Sequence, residues 1–267
     1  MVGVDLKAHI SRMLAEGIRF DGRKLLDWRP VTIMTAISKN AEGSARVRFG
    51  ETDVMTGIKL SIGTPYPDRP DEGALMVEAE LTPMSSPEFE AGPPDVQAIE
   101  LARVVDRGIR EAKAIDMKKL CIVPGEKCWV VNIDVVTIND AGNLMDAAAL
   151  AAITALKTTR FPKTENGIIK YGELTDQPLP ITKEPIAVTV IKIGDKLIVD
   201  PSVDEEKIID TKLTVTSMPE GMLCALQKGG DGTLSLEEIA QMVEIGIAKA
   251  HELREVLNRA LKEHADD

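Results

Sequence analysis

Apolar positions in this chain recur with two periods, and the switches between them mark out its elements. From Val4 to Glu16 the spacing is that of an amphipathic helix. Three β-like runs follow, near 43–49, 53–62 and 74–81, with the turn Gly50-Glu51-Thr52 joining the first two. Thr82–Pro94 holds four prolines, each without an N–H and with a fixed φ, so it reads as loop. Asp95 stands at a cap position before a helix that runs to about Ala114. The predicted buried stripe of that helix is Ile99, Ala102, Val105, Ile109 and Ala112. A strand, Lys127–Ile138, then leads through a turn into an alanine-rich helix, Asn143–Lys157.

Thr159–Pro185 has little apolar periodicity and reads as a linker or excursion. Beyond it, Ile186–Ile193, Lys196–Val199, Ile209–Ser217 and Met222–Gln227 read as strands, and Ser235–Ala260 as a long helix. Sheet followed by covering helix thus occurs twice, without a residue-level repeat. The expected fold is α+β, with two similar units, 1–185 and 186–267, packed together.

At 267 residues the chain can bury a real core. No run of about 18 apolar residues is available to span a membrane, and Asp5, Lys7, His9 and Arg12 interrupt any signal-peptide pattern. A cytoplasmic protein is expected. Cys121, Cys128 and Cys224 make no Cys-x-x-Cys motif or paired framework, and the histidines are scattered at 9, 251 and 264. Neither a metal nor another cofactor is expected. Only six Asn and four Gln accompany 32 Lys and Arg and 43 Asp and Glu, a bias found in proteins of hot-growing organisms. The net charge of −11 argues against broad nucleic-acid binding, so any such contact must be local.

The most telling segment is the turn Asn139-Asp140-Ala141-Gly142-Asn143 at the start of the alanine-rich helix. Free N–H groups and a helix dipole at such a place suit an anion. Here no basic or hydroxyl side chain follows the glycine: the residues are Gly142, Asn143 and Leu144. Asn143 is expected to cap the helix, and the Asp146 carboxylate to occupy the dipole a phosphate would need. The turn should repel phosphate.

Other constellations carry two readings each. Arg103, Arg107 and Arg110 fall at i, i+4 and i+7, within about a 60° arc of one helix face. Such a ridge suits the phosphates of a single-stranded nucleic acid, and equally suits ion pairs with Glu100, Asp106 and Glu111. Arg69, on a proline-rich tip, is a further candidate or a solvated loop charge. Asp204 and Asp210, among other acids, could serve a metal or acid chemistry, or form an acidic loop. Gly229–Glu238 imitates the back half of a calcium loop, but Gln227 and Gly229 occupy the first ligand positions, so a turn with Ser235 and Glu238 as a capping box is simpler.

Arg19-x-Asp21-Gly22-Arg23, Arg29-Pro30, the Gly43-Ser44-Ala45 to Thr52-Asp53-Val54 hairpin and the Ala98–Arg110 helix resemble the RNase PH family over nearly the whole chain. Pro93-Pro94-Asp95 followed by Ala98–Arg107 is similar, more narrowly, to the non-catalytic RNase PH-like subunit of the archaeal exosome. The resemblance implies an RNase PH-like fold built from ribosomal protein S5 domain 2-like units. Active members degrade RNA from the 3′ end with phosphate held by Gly-Ser-Arg or Gly-Thr-Arg, where this chain has Gly142-Asn143-Leu144. The resemblance therefore implies a dead phosphorolytic site and no catalytic residue. Active members also pair two aspartates separated by five residues, and Asp204 and Asp210 have that spacing, with Asp210 read as structural. Further implications are a ring of three heterodimers with a catalytic RNase PH-like partner, S1/KH-type cap subunits, and RNA contact by Arg103, Arg107 and, less clearly, Arg110.

Two other readings stay open on the sequence. The retained Asp210 is compatible with an active exoribonuclease, and a purely structural ring scaffold would need no RNA contact.

Overall fold

The computed structural model describes residues 4–165 and 167–266; Met1–Gly3, the first residues of the segment judged for a leader, lie outside them, as do Asn166 and Asp267. Helix α1 (Val4–Ala15) is followed by strands β1 (Val31–Thr35), β2 (Gly43–Phe49), β3 (Thr52–Gly63) and β4 (Ala74–Glu80). After helix α2 (Val96–Glu111) and a 3-10 turn at Met117–Leu120 come β5 (Cys121–Val123), β6 (Lys127–Asn139) and helix α3 (Leu144–Thr158). These strands form one sheet in the order β1-β2-β3-β6-β4, with β5 also on β6. All its pairings are antiparallel except β4 with β6.

A two-stranded hairpin, β7 (Arg160–Glu165) and β8 (Ile168–Pro178), stands where the sequence predicted a linker. Most of its side chains are exposed, which removes the in-out alternation that identifies a half-buried strand. The second sheet, β10-β9-β11-β12, uses β9 (Ile186–Ile193), β10 (Lys196–Val199), β11 (Thr211–Ser217) and β12 (Leu223–Gly229). Between β10 and β11 lies the one-turn helix α4 (Val203–Glu206), and α5 (Leu236–Asp266) closes the chain.

Helices lie between the sheets. α3 packs on β2 and β3 on one side and β9 on the other, α5 touches β9, β11 and β1, and α2 touches β4 and β12. One apolar core runs through both sheets, from Val47 and Ile133 through Ala148 and Leu150 to Val188, Val215 and Leu253. Alanine fills the middle because α3 is buried on nearly all sides, and small side chains let both sheets approach it. A satellite cluster joins Ile10 and Leu14 of α1 to Ile191, Ile193, Ile198 and Ile208, so the N-terminal helix rests on the second sheet.

The structure adjusts the predicted stripe of α2. Val105, Ile109 and Ala112 are buried, Ala102 only partly, and Ile99 is half exposed, while Ala98, Leu101 and Val104 complete the inner face. Asp95 caps this helix as expected, its Oδ1 accepting from Ala98 N at 2.8 Å. Ser235 and Glu238 also form the predicted reciprocal cap of α5. No helix among the described residues is long and apolar enough to cross a membrane.

Candidate functional site: a filled anion turn and an arginine ridge

β6 delivers the chain into the turn at Asp140–Asn143, where Gly142 has φ +93° and Asn143 φ +60°. Glycine is required at 142: a Cβ there would sit 2.4 Å from the Pro201 carbonyl oxygen. The turn's N–H groups are already engaged by the protein's own carboxylates. Gly142 N donates to Asp140 Oδ1 at 2.9 Å, and Asn143 N donates to Glu206 Oε1 at 2.9 Å. Glu206 is brought in by α4, whose own capping box pairs Ser202 with Glu205. Burial, together with the neighbouring Asp140, pushes the Glu206 carboxyl up to about 7, and burial also raises Asp140. An incoming phosphate would have to displace both carboxylates.

Two expectations for this turn are corrected. Asn143 does not cap α3 with its side chain, because the left-handed backbone turns the amide away. Its Nδ2 donates instead to Asp200 Oδ1 at 3.0 Å. Asp146 does not sit across the mouth of the turn. It is fully buried beneath β9, accepting from Thr189 N at 2.9 Å and Thr189 Oγ1 at 2.7 Å, and burial pushes it up to about 7. The negative charge at the turn comes from Asp140 and Glu206, and Leu144 simply packs against the core.

Behind the turn is an ion network that local sequence reasoning did not find. Asp200, fully buried with φ +50°, accepts from Arg23 Nη1 (2.8 Å) and from Arg29 N (2.8 Å), Nε (2.9 Å) and Nη2 (2.6 Å). Burial pushes its carboxyl up, but the hydrogen bonds and charge of Arg29 outweigh that and hold it below the ordinary range. Arg29 reaches on to the turn itself, donating to the carbonyls of Ala141 (2.8 Å) and Gly142 (3.0 Å). Arg19, fully buried, grips Glu205 through Nε and Nη2 and donates to the Val199 and Asp200 carbonyls. The Arg19-x-Asp21-Gly22-Arg23 and Arg29 motifs thus lock α4 onto the turn. In the sequence these arginines stood out only as motif residues of the family resemblance.

Asp204 is exposed on α4, whereas Asp210 Oδ2 accepts from Gly194 N at 2.7 Å and so holds the β9–β10 turn. No group of His, Cys, Asp and Glu among the described residues is arranged to hold a metal.

The ridge on α2 divides. Arg103 and Arg107 are exposed and make no ion pair among the described residues. Two of their predicted partners are engaged elsewhere: Glu100 faces Lys212 at 3.8 Å, and Asp106 pairs with Arg110 at 2.6 Å. Arg110 also donates to the Leu75 carbonyl, and its hydrogen bonds with Asp106 raise its pKa further. Arg69 lies on its exposed tip within 4 Å of Asp68 and Glu72. α2 runs between β4 and β12, the outer strands of the two sheets, and the exposed apolar side chains Met76, Val96, Ile99, Leu223 and Leu226 come from these three elements.

Comparison with known proteins matches residues 27–162 to the 3′ exoribonuclease family, domain 1, and residues 183–249 to domain 2 of the same family. The exosome complex component Rrp42 of Methanosarcina acetivorans is 48% identical over 248 residues, covering 93% of this chain and 91% of that protein. The protein of the same name from Thermococcus gammatolerans is 47% identical over 266 residues, covering 98% and 96%. Among solved structures, an Archaeoglobus fulgidus exosome with RNA bound to the active site contains a chain matched with a TM-score of 0.88 and 42% identity over 94% of this chain and 97% of that one. An archaeal exosome core gives 0.85 and 39%, covering 95% and 96%. With both domains matched and the sheets and helices described above in place, the chain belongs to the 3′ exoribonuclease, or RNase PH, family and has the RNase PH-like fold.

Proposed function

We propose that this chain is a non-catalytic subunit of an archaeal exosome, which binds RNA and helps to structure the active site of a catalytic RNase PH-like partner in phosphorolytic 3′-to-5′ RNA degradation. The observation that carries this reading is the filled turn. Phosphorolysis needs a preorganised cradle of donors for the attacking phosphate, and here two of those donors are already bonded to Asp140 and Glu206. A phosphate near them would also meet two carboxylates in a partly desolvated place.

The α2 flank supports the second half of the reading. Two open strand edges and a group of exposed apolar side chains suit burial against a partner, and Arg103 and Arg107 stand beside them with their guanidinium groups uncommitted. We take the assembly to be three heterodimers in a hexameric ring in the cytoplasm, capped by S1/KH-type RNA-binding subunits, with single-stranded RNA as the ligand. The chain enters it as two RNase PH-like units, 1–185 and 186–267. A few channel-facing arginines are compatible with an acidic outer surface.

The test is phosphate-dependent release of nucleoside diphosphates from single-stranded RNA. Activity is expected only after co-assembly with the catalytic partner. Activity of the pure chain, abolished by Asp210→Ala, would overturn the proposal.

A further inference from the structure

The sequence gives no reason to link Cys121 with Cys128, but the fold does. β5 and β6 are antiparallel, and these two residues are partners in the register, beside a shift of register between Cys121 and Val123. Directly opposed residues of antiparallel strands have Cα atoms about 4.5 or 5.5 Å apart, depending on the hydrogen-bonding position, and their side chains lie on the same face. Both separations fall within the range of about 4.4–6.8 Å that a disulfide spans. The Cys128 thiol is pushed up first by burial and then by its neighbour Cys121. Cys121 is partly exposed, Cys128 beside it is fully buried, and Cys224 lies on β12 in the other sheet, its thiol donating to the Thr216 carbonyl.

We propose that Cys121 and Cys128 are a redox-active dithiol that closes to a cross-strand disulfide by exchange with a small-molecule disulfide, clamping the hairpin that braces the Arg69 loop. The thiolate of Cys121 attacks one sulfur of the small disulfide, forming a mixed disulfide and releasing one small thiol. The thiolate of Cys128 then attacks the Cys121 sulfur and releases the second. Two electrons pass to the small disulfide, and the two thiol protons end on the released thiols. Disulfides are unusual inside cells, with the intracellular proteins of hot-growing organisms as the exception, and the amide-poor, charge-rich composition of this chain fits that exception.

The clamp would act on residues 64–73. Gly125 N, in the β5–β6 turn, donates to the Pro70 carbonyl at 2.8 Å, and Gly73 N donates to the Met117 carbonyl at 2.8 Å. Gly73 lies so close to Leu120 that a Cβ would approach the Leu120 Cβ to 2.4 Å. The tip that carries Arg69 therefore rests on the segment that the disulfide would tie down.

Trypsin provides the test, because Lys119, Lys127 and Lys157 release residues 120–127 and 128–157 as separate peptides. The full chain is incubated with oxidised glutathione at pH 8.5, free thiols are alkylated, and the digest is weighed. The expected product is the two peptides joined and two hydrogens lighter than their sum. It should come with a rise in Tm of about 2–5 °C that Cys121→Ser lacks. Recovery of both peptides alkylated, or glutathione on Cys121 with Cys128 free, would overturn the proposal. A joined peptide without a rise in Tm would overturn the clamp.

Discussion

The carboxylate of Glu206 lies 2.9 Å from the backbone nitrogen of Asn143, 63 residues earlier in the chain. It sits where an anion at a helix start would sit, and it is held there by α4, which Arg19 in turn holds through Glu205. The turn keeps the shape of an anion cradle, with an internal carboxylate in the place of a ligand.

This arrangement gives the protein an unusual pH dependence. Glu206 and Asp146 are both raised to about 7, so each holds its proton more tightly in the folded state than in the unfolded one. Their contribution is complete below about pH 4 and is lost as pH rises through 7. The double variant Glu206→Gln, Asp146→Asn should be more stable than the parent at pH 8.5 by on the order of 1–3 kcal/mol, a gap that closes by pH 5. Urea midpoints at the two pH values measure it. Asp200, held low by Arg29, has the opposite sign and is lost only as pH falls below about 4.

Arg29→Ala should be among the most damaging single changes outside the apolar core. It leaves Asp200 buried with Arg23, Asn143 and the backbone N–H at position 29 as partners and removes the guanidinium donors to the carbonyls of Ala141 and Gly142. Loss of one partner of a buried ion pair costs about 3–5 kcal/mol. Chemical denaturation should show a lower midpoint with an unchanged slope.

Gly142→Ala should destabilise by about 2–4 kcal/mol, since the new Cβ meets the Pro201 carbonyl and the residue must hold φ +93°. Ala141→Gly, one residue away, serves as the control in the same thermal unfolding experiment and should cost about 1 kcal/mol or less.

The three arginines of α2 should separate in function. Arg103→Ala with Arg107→Ala should leave stability within about 0.5 kcal/mol of the parent, because neither makes an ion pair among the described residues. The assembled ring should then bind RNA more weakly, with a salt slope flatter by about 1.4. Arg110→Ala should cost stability and leave RNA affinity nearly unchanged, as its donors are spent on Asp106 and Leu75. Filter binding at several salt concentrations distinguishes them, and unchanged affinity for the double variant would favour a scaffold without RNA contact.

Much of the architecture was legible because its elements bury one face. The long strands, α2 and α5 follow their apolar periods, α3 was marked by its alanine content, and the Asp95 and Ser235 caps follow side-chain chemistry. β1, short and only half buried, and the exposed β7–β8 hairpin have no strong pattern and escaped notice. The glycine turn was recognised from its residues. What fills it was not, since Glu206, Asp200, Arg19 and Arg29 meet the turn and one another only through contacts spanning 57 to 186 residues. Asn143 was misread as a cap because its αL backbone is set by this distant packing, with no local signal.

The same long spans constrain how the chain can fold as it leaves the ribosome. α1 rests on Ile191, Ile193 and Ile198, Arg19 finds its acceptors only at 199–205, and Arg23 and Arg29 meet the Asp200 carboxylate only when residue 200 has been made. Helix α1 and the Arg19 side chain cannot dock until some three quarters of the protein has been synthesised. During that interval the first sheet can close on α3, but the turn at Gly142 lacks Glu206, and the Asn143 N–H stays exposed to whatever anions the cell provides.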